Sequence, residues 1–381
     1  MQSTTSSSFQ RPQQHGSLHY RKYFYVGQTY STTSPSIAHG QIYVEHLIPA
    51  CVTQKYPLVM IPGYGMTGVH WLTSSNSVSL GWADWFLTKG FEVYITDEPS
   101  RGRSPHQKSI DGPLHTRAVD TITMQQRFTS PAQYNLWPSA KLHTQWPGSG
   151  AAGDEFFDQF YSSMMPSLSN PVELSEKTRD AGVKLLDIIG RPVILIAHSQ
   201  GTQFGWLLAD ARPLLVRAIV NLDPGGPPFF ESAIFSSSGN KASSSSTVTS
   251  EGQPQKFTPA RPYGLTEIPI TYSPPISSPS ELTQQVIDDS SPYFIHVQEV
   301  DPAHKMVNLE NIPELVVTAE ASYHSMYDHC TVEYLRRAGV PVEHVKLEEV
   351  GLRGNGHMMF IEKNALEIVE KVVGPWIERL K

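Results

Sequence analysis

Short apolar runs that stop abruptly at Gly, Pro or Asp alternate along this chain with stretches of helical periodicity. This rhythm restricts the fold more than any other feature. Leu58–Ile61 ends at Pro62-Gly63, Phe91–Thr96 at Asp97-Glu98-Pro99, and Arg217–Leu222 at Asp223-Pro224. Val193–Ala197 runs into His198-Ser199-Gln200-Gly201, and Glu314–Thr318 and Glu343–Leu347 complete the series. A run that is apolar at every position has both faces buried, as a strand in a parallel sheet does. Between the runs, helices are predicted around Trp82–Lys89, over Gln200–Ala211 and Thr331–Ala338, and over Asn364–Leu380. The predicted fold class is therefore α/β, a mostly parallel central sheet with helices on both faces.

One helix carries full punctuation. Asn170 is placed as its N-cap, Pro171 at its first position, Glu173 three after the cap, and Gly190 at its stop. Leu174, Ala181, Leu185 and Ile188 are predicted on its buried face. Tyr20–Val26 and Gln41–Ile48 read as leading strands joined by a Ser/Thr/Pro/Gly turn region. Two segments break the rhythm: 105–168, rich in Pro, Trp and Gln, and 227–305. Both leave from C-terminal ends of strands, where α/β sheets bind ligands, so a cap over a pocket is expected. The predicted organisation is a disordered polar start (1–18), core segments 19–104, 169–226 and 306–381, and the two cap insertions. The second insertion includes a mobile Ser-rich tract at 236–250.

Composition excludes several functions. Across 381 residues, 29 Lys and Arg face 36 Asp and Glu, a net charge of −7 with no basic block. That balance argues against nucleic acid or an anionic membrane as partner. No stretch approaches the roughly 18 apolar residues of a membrane span. Cys51 and Cys330 are too few and too far apart for a disulfide framework or a cysteine zinc site. Met1–Tyr20 is Ser, Thr, Gln and His rich without the apolar run of a secretory signal, so a cytoplasmic protein is expected; a trimmed secreted chain would read the same. Nothing in the sequence sets an oligomeric state.

The chemistry-bearing residues cluster at strand ends. Ser199 at a strand-to-helix turn, with small Ala197 two before and Gly201 two after, has the form of a nucleophile elbow. A serine hydroxyl needs a base, and His357 in Gly354-Asn355-Gly356-His357 lies on a glycine loop after the last strand, predicted to swing over the elbow. A carboxylate should orient that imidazole; Asp223, Glu320 and Asp328 all follow strands, and position alone leaves the three open. Donors for an oxyanion are expected from the backbone of Gln200 and from Tyr64 and Gly65 in the loop Pro62–Gly68. His198 is read as a packing or hydrogen-bonding residue. His324 and His329 flank Asp328 at no metal-ligand spacing, so neither a metal nor a cofactor is expected.

Together these residues resemble the α/β-hydrolase superfamily, and more closely the fungal and bacterial branch similar to the "seven-one-three" type of esterase. The resemblance runs from Gln41 to the C-terminus through Gly63–Trp71, Gly81-Trp82, Asp97–Ser104, Trp146–Phe160, Ala197–Gly201, Asp223–Gly226 and Gly354–Asn364. It implies a serine esterase whose acid follows the sixth strand, the place that Asp223 matches, where the usual residue is Glu. The branch's bacterial type member has two adjacent cysteines where this chain has Tyr64 and Gly65. The expected activity is cleavage of a small-molecule carboxylic ester, thioester or lactone through an acyl-enzyme. Biosynthetic acyl transfer, thioesterase or cyclisation chemistry on a bulky natural product is the alternative, with Trp137, Trp146, Phe229 and Phe230 suited to an apolar substrate. A ligand receptor without turnover is the third reading.

Overall fold

The protein is described by a computed structural model covering residues 16–32, 34–72, 80–116, 118–236 and 257–380. The predicted disorder of 1–18 and mobility of 236–250 fall almost entirely outside those residues.

Eight strands form one sheet: β1 (His19–Val26), β2 (Ile42–Pro49), β3 (Leu58–Ile61), β4 (Val93–Asp97), β5 (Val193–His198), β6 (Val216–Leu222), β7 (Glu314–Thr318) and β8 (Val342–Lys346). Their order is β1-β2-β4-β3-β5-β6-β7-β8. The pairings β1–β2 and β2–β4 are antiparallel and the remainder parallel. Successive side chains of a strand point to opposite faces, and the packing divides accordingly. Leu58, Met60, Ile194, Ile196 and Val220 join Trp82, Phe86, Phe360 and Trp376 in one core. Val59, Ile61, Leu195, Ala197 and Ile219 join Leu185, Phe204, Leu207 and Leu335 in the other. Burial on both faces is the reason these runs show no polar alternation.

Four helices matter for the site: α1 (Trp82–Thr88), α2 (Pro171–Ile189), α3 (Gly201–Ala211) and α4 (Asp328–Arg337). The Asn170 side chain accepts from the Val172 and Glu173 N–H groups, and Gly190 closes α2 at φ 66°. Glu173 itself accepts from Gly112 N–H at 2.8 Å, fastening α2 to the first insertion. Ile188, predicted on the buried face, is 62% exposed, because the last turn gives Ile189 to the core instead. The predicted final helix is interrupted: Ala365–Ile368 and Gly374–Glu378 flank a wider π-turn at Val369–Val373. Pro375 has no N–H to give a tighter turn, and its ring would crowd the carbonyl four residues earlier.

The two insertions hold elements too short for periodicity to reveal. Residues 105–168 contain helical turns at Thr121–Met124, Pro131–Tyr134 and Glu155–Tyr161. In residues 227–305, Gln284–Asp288 pairs with His296–Glu299. Trp137, Trp146 and Phe229 are buried in the core clusters, and Phe230 is half-buried against one of them.

Candidate active site

The turn between β5 and α3 forces its residues into an uncommon conformation. Ser199 has φ 51°, a left-handed value that a residue with a Cβ adopts only when its surroundings hold it there. Its N–H donates to Leu222 O at 3.0 Å, and Thr202 Oγ1 donates to its carbonyl at 2.8 Å. The neighbouring glycines are required by contact. A Cβ on Gly201 would stand 2.5 Å from Pro62 O, and one on Gly63 would stand 2.7 Å from His198 Nδ1 and 3.1 Å from Ser199 Cβ. The loop after β3 therefore lies directly against the serine. Tyr64, Met66, Val119, Phe128, Met164, His198, Ser199, His357 and Met358 line one narrow pocket.

Three acidic candidates were open in the sequence, and they occupy three different places. Asp223, after β6 and at φ 42°, has Oδ2 3.0 Å from His357 Nδ1 and accepts from Ala319 N–H through Oδ1 at 3.0 Å. Glu320 instead accepts from Gly354 N–H at 2.8 Å and pairs with Arg353 at 2.7 Å. Asp328 accepts from Thr318 Oγ1 at 2.7 Å and lies 3.1 Å from His324 Nδ1. Neither bonds His357 among the described contacts.

The loop carrying His357 is held rather than free to swing. Gly356 N–H donates to Glu362 at 3.0 Å, Asn355 Nδ2 to Glu362 at 2.8 Å, and His198 Nε2 to the His357 carbonyl at 2.9 Å. Its glycines answer close packing: a Cβ on Gly354 would lie 2.1 Å from Thr144 Oγ1, and one on Gly356 2.8 Å from His143 Nε2. Because His198 Nε2 donates to a carbonyl, its neutral ring carries its lone pair on Nδ1, which has no hydrogen-bond partner among the described residues.

Burial is the first cause of every large shift here. It holds His357 and His198 well below the ordinary imidazole value and His324 at about 4, because an imidazolium would lose its hydration. The same cause pushes the Asp223 and Asp328 carboxyls up. His324 donates to the Pro224 carbonyl, and its Nδ1 lies 3.1 Å from Asp328 Oδ1. A neutral His324 then sits beside His357.

Tyr64 lines the pocket with Ser199, Gly65 follows it in the loop after β3, and Gln200 is the residue after the serine. Gly65 has φ 70°, and its carbonyl accepts from Met165 N–H at 2.8 Å. Gln200 caps α3. Arg101, which sequence reasoning gave no role, is fully buried and connects these parts. Its Nη1 donates to Gly63 O at 3.0 Å and to Glu98 at 2.9 Å, and its Nη2 to Gln200 Oε1 at 3.1 Å. The only sequence signal was its place within Asp97–Ser104, which also holds its partner Glu98; Gly63 and Gln200 lie 38 and 99 residues away.

Comparison with known proteins follows this geometry. A family model described as "Alpha/beta hydrolase family" matches residues 58–371. The chain is 40% identical over 376 residues, 98% of its length and 94% of the relative's, to a "Probable secreted lipase phiG" of Fungal sp. (strain ATCC 74256). The solved structure described as "The Atomic Resolution Structure of a Novel Bacterial Esterase" superposes with a TM-score of 0.61 at 20% identity, over 97% of this chain and 98% of that one.

Proposed function

The chain belongs to the alpha/beta hydrolase family, and from that premise we propose that it is a carboxylic ester hydrolase working through Ser199, His357 and Asp223. The observation that carries this reading is the 3.0 Å contact between His357 Nδ1 and Asp223 Oδ2, with Ser199 and His357 lining one pocket. With Nδ1–H donating to the carboxylate, the imidazole lone pair sits on Nε2, the tautomer that a general base needs. Ser199 Oγ attacks the ester carbonyl while His357 Nε2 takes its proton. The same proton passes to the departing alcohol, leaving an acyl-Ser199 ester. Water, deprotonated by His357, then cleaves that ester and returns the serine. Asp223 orients the ring and stabilises the transient imidazolium. Backbone N–H groups of Tyr64 and Gln200, with Gly65 as the alternative in the loop, stabilise the oxyanion.

Met66, Val119, Phe128, Met164 and Met358 give the pocket apolar walls, which suits an ester with an apolar acyl or alcohol part. Val119, Phe128 and Met164 come from residues 105–168, supporting that segment as a cap on core segments 19–104, 169–226 and 306–381. The second insertion, 227–305, is read as the outer part of the same cap. No described helix is long and apolar enough to cross a membrane. The relative's description as secreted stands against the expectation of a cytoplasmic protein, and assaying cells and medium separately distinguishes the two.

Hydrolysis of p-nitrophenyl butyrate tests the reading. Turnover by the natural chain and its loss in Ser199→Ala, with the fold intact by circular dichroism, are expected. Absence of hydrolysis in both would leave the ligand-receptor alternative. Full activity in Ser199→Ala would remove Ser199 from the mechanism.

A further inference from the structure

Away from the pocket, helix α4 brings His329, Cys330 and Glu333 against His296 of the strand His296–Glu299. His329 Nε2 lies 3.4 Å from Cys330 Sγ, and His296 Nε2 lies 3.3 Å from Glu333 Oε2. Ligand atoms of His296, His329 and Cys330 all fall within 4.8 Å of one another. The two imidazoles meet edge to face, centroids 5.5 Å apart at 85°, and are not stacked.

The hydrogen bonding around His296 points to a cation. Gln298 Nε2 donates to the Cys330 carbonyl at 2.9 Å, which fixes the amide orientation. The same nitrogen stands 3.0 Å from His296 Nε2. An amide NH2 only donates, so His296 Nε2 carries a lone pair. That single lone pair accepts from Gln298, while the acceptor Glu333 Oε2 stands 3.3 Å from the same nitrogen; an ion bound at Nε2 would replace the Gln298 contact. Two acceptors this close are stabilised by a positive charge between them. A four-coordinate zinc-class ion with bonds of 2.0–2.3 Å separates its donors by roughly 3.3–3.8 Å, the spacing of both measured pairs.

We propose that His296, His329 and Cys330 bind one zinc-class divalent ion through two imidazoles and a thiolate, with the Glu333 carboxylate, 3.3 Å from His296 Nε2, turning in as the fourth ligand. Binding replaces the Cys330 thiol proton, released to solvent, with the metal–sulfur bond, and no oxidation occurs. Exposed His329 gives the ion its route from water. The ion joins the second insertion to α4, two residues beyond Asp328. None of its ligands lines the Ser199 pocket, so the role is structural. The spacing of His324, Asp328 and His329 hides the site in sequence because His296 comes from a different segment.

The test uses the full chain with exposed Cys51 replaced by Ser, stripped with a chelator and titrated with Co2+. One ion per chain, a thiolate-to-cobalt charge-transfer band and the strong visible bands of a four-coordinate ion are expected, and Zn2+ should displace them. Zinc should also raise the thermal midpoint of the stripped protein. Cys330→Ser should abolish the charge-transfer band, and His296→Gln should weaken affinity by about tenfold or more. If Cys330→Ser fails to fold, His296→Gln decides alone. No charge-transfer band, a band that survives Cys330→Ser, or unchanged affinity in His296→Gln would overturn the site.

Discussion

His324 lies flat against His357, ring centroids 4.5 Å apart and planes 8° from parallel. Its hydrogen bonds run away from that neighbour, to Asp328 and to the Pro224 carbonyl. The proposed base thus rests on a neutral ring, so the imidazolium formed during turnover meets no second full positive charge. Replacing His324 by Ala opens this wall to water. We expect kcat to fall by roughly tenfold to a hundredfold, equivalent to about 1.4–2.8 kcal/mol, and the acid limb of the rate profile to move up. An unmoved limb would reduce His324 to packing.

The natural protein's acid limb follows from the sign of the His357 shift. Burial disfavours the imidazolium, so the ring stays neutral below its ordinary value of 6.5. A base must be unprotonated to work, so activity persists as pH falls past 6.5 and is lost only lower. A plot of kcat/KM against pH should place this midpoint below 6.5. A midpoint above it would contradict the shift.

Arg101 joins the loop after β3 to the elbow helix through Gly63 O and Gln200 Oε1. Lys cannot reproduce a planar fork with several fixed donors. Arg101→Lys should lower kcat by roughly tenfold to a hundredfold with little change in KM, because the clamp positions donors used in the transition state. Arg101→Met leaves Glu98 without its buried partner and should cost about 3–5 kcal/mol in unfolding. Steady-state kinetics and denaturant unfolding check the two effects separately.

Gly201 tests the packing of the elbow. Its missing Cβ leaves room for the Pro62 carbonyl, which would otherwise be 2.5 Å away. Gly201→Ala should destabilise the fold by about 1–3 kcal/mol and reduce turnover, as read by unfolding midpoints and ester kinetics. Unchanged stability would mean that the strand and helix can part without cost.

Amide substitutions separate the three acids. Asp223→Asn should lower kcat by roughly ten-thousandfold. Glu320→Gln and Asp328→Asn should keep most of their activity beside it. If Glu320→Gln were the crippled variant, the geometry at His357 would have been misread.

The central parallel strands β3 and β5 were legible because each is a short apolar run with a sharp stop, and α2 because Asn170, Pro171 and Gly190 mark its ends. Ile188 and the π-turn at Val369–Val373 were not, since both depend on how a helix end meets its neighbours. The short pieces within 105–168 and 227–305 carry too few residues for a period. Ser199 stood out through Ala197 and Gly201, small residues at fixed spacing on either side of the turn. The Asp223–His357 contact joins residues 134 apart in sequence, so residue pattern alone left Glu320 and Asp328 beside it; the family resemblance favoured Asp223. Arg101 and His324 act through partners that only the folded chain assembles.

The most direct measurement is to react the native protein with a fluorophosphonate and locate the adduct by peptide mass spectrometry. A single stoichiometric adduct on Ser199, formed slowly or not at all in His357→Ala, is the predicted result. An adduct on another residue, or none on a protein that still hydrolyses esters, would contradict the account.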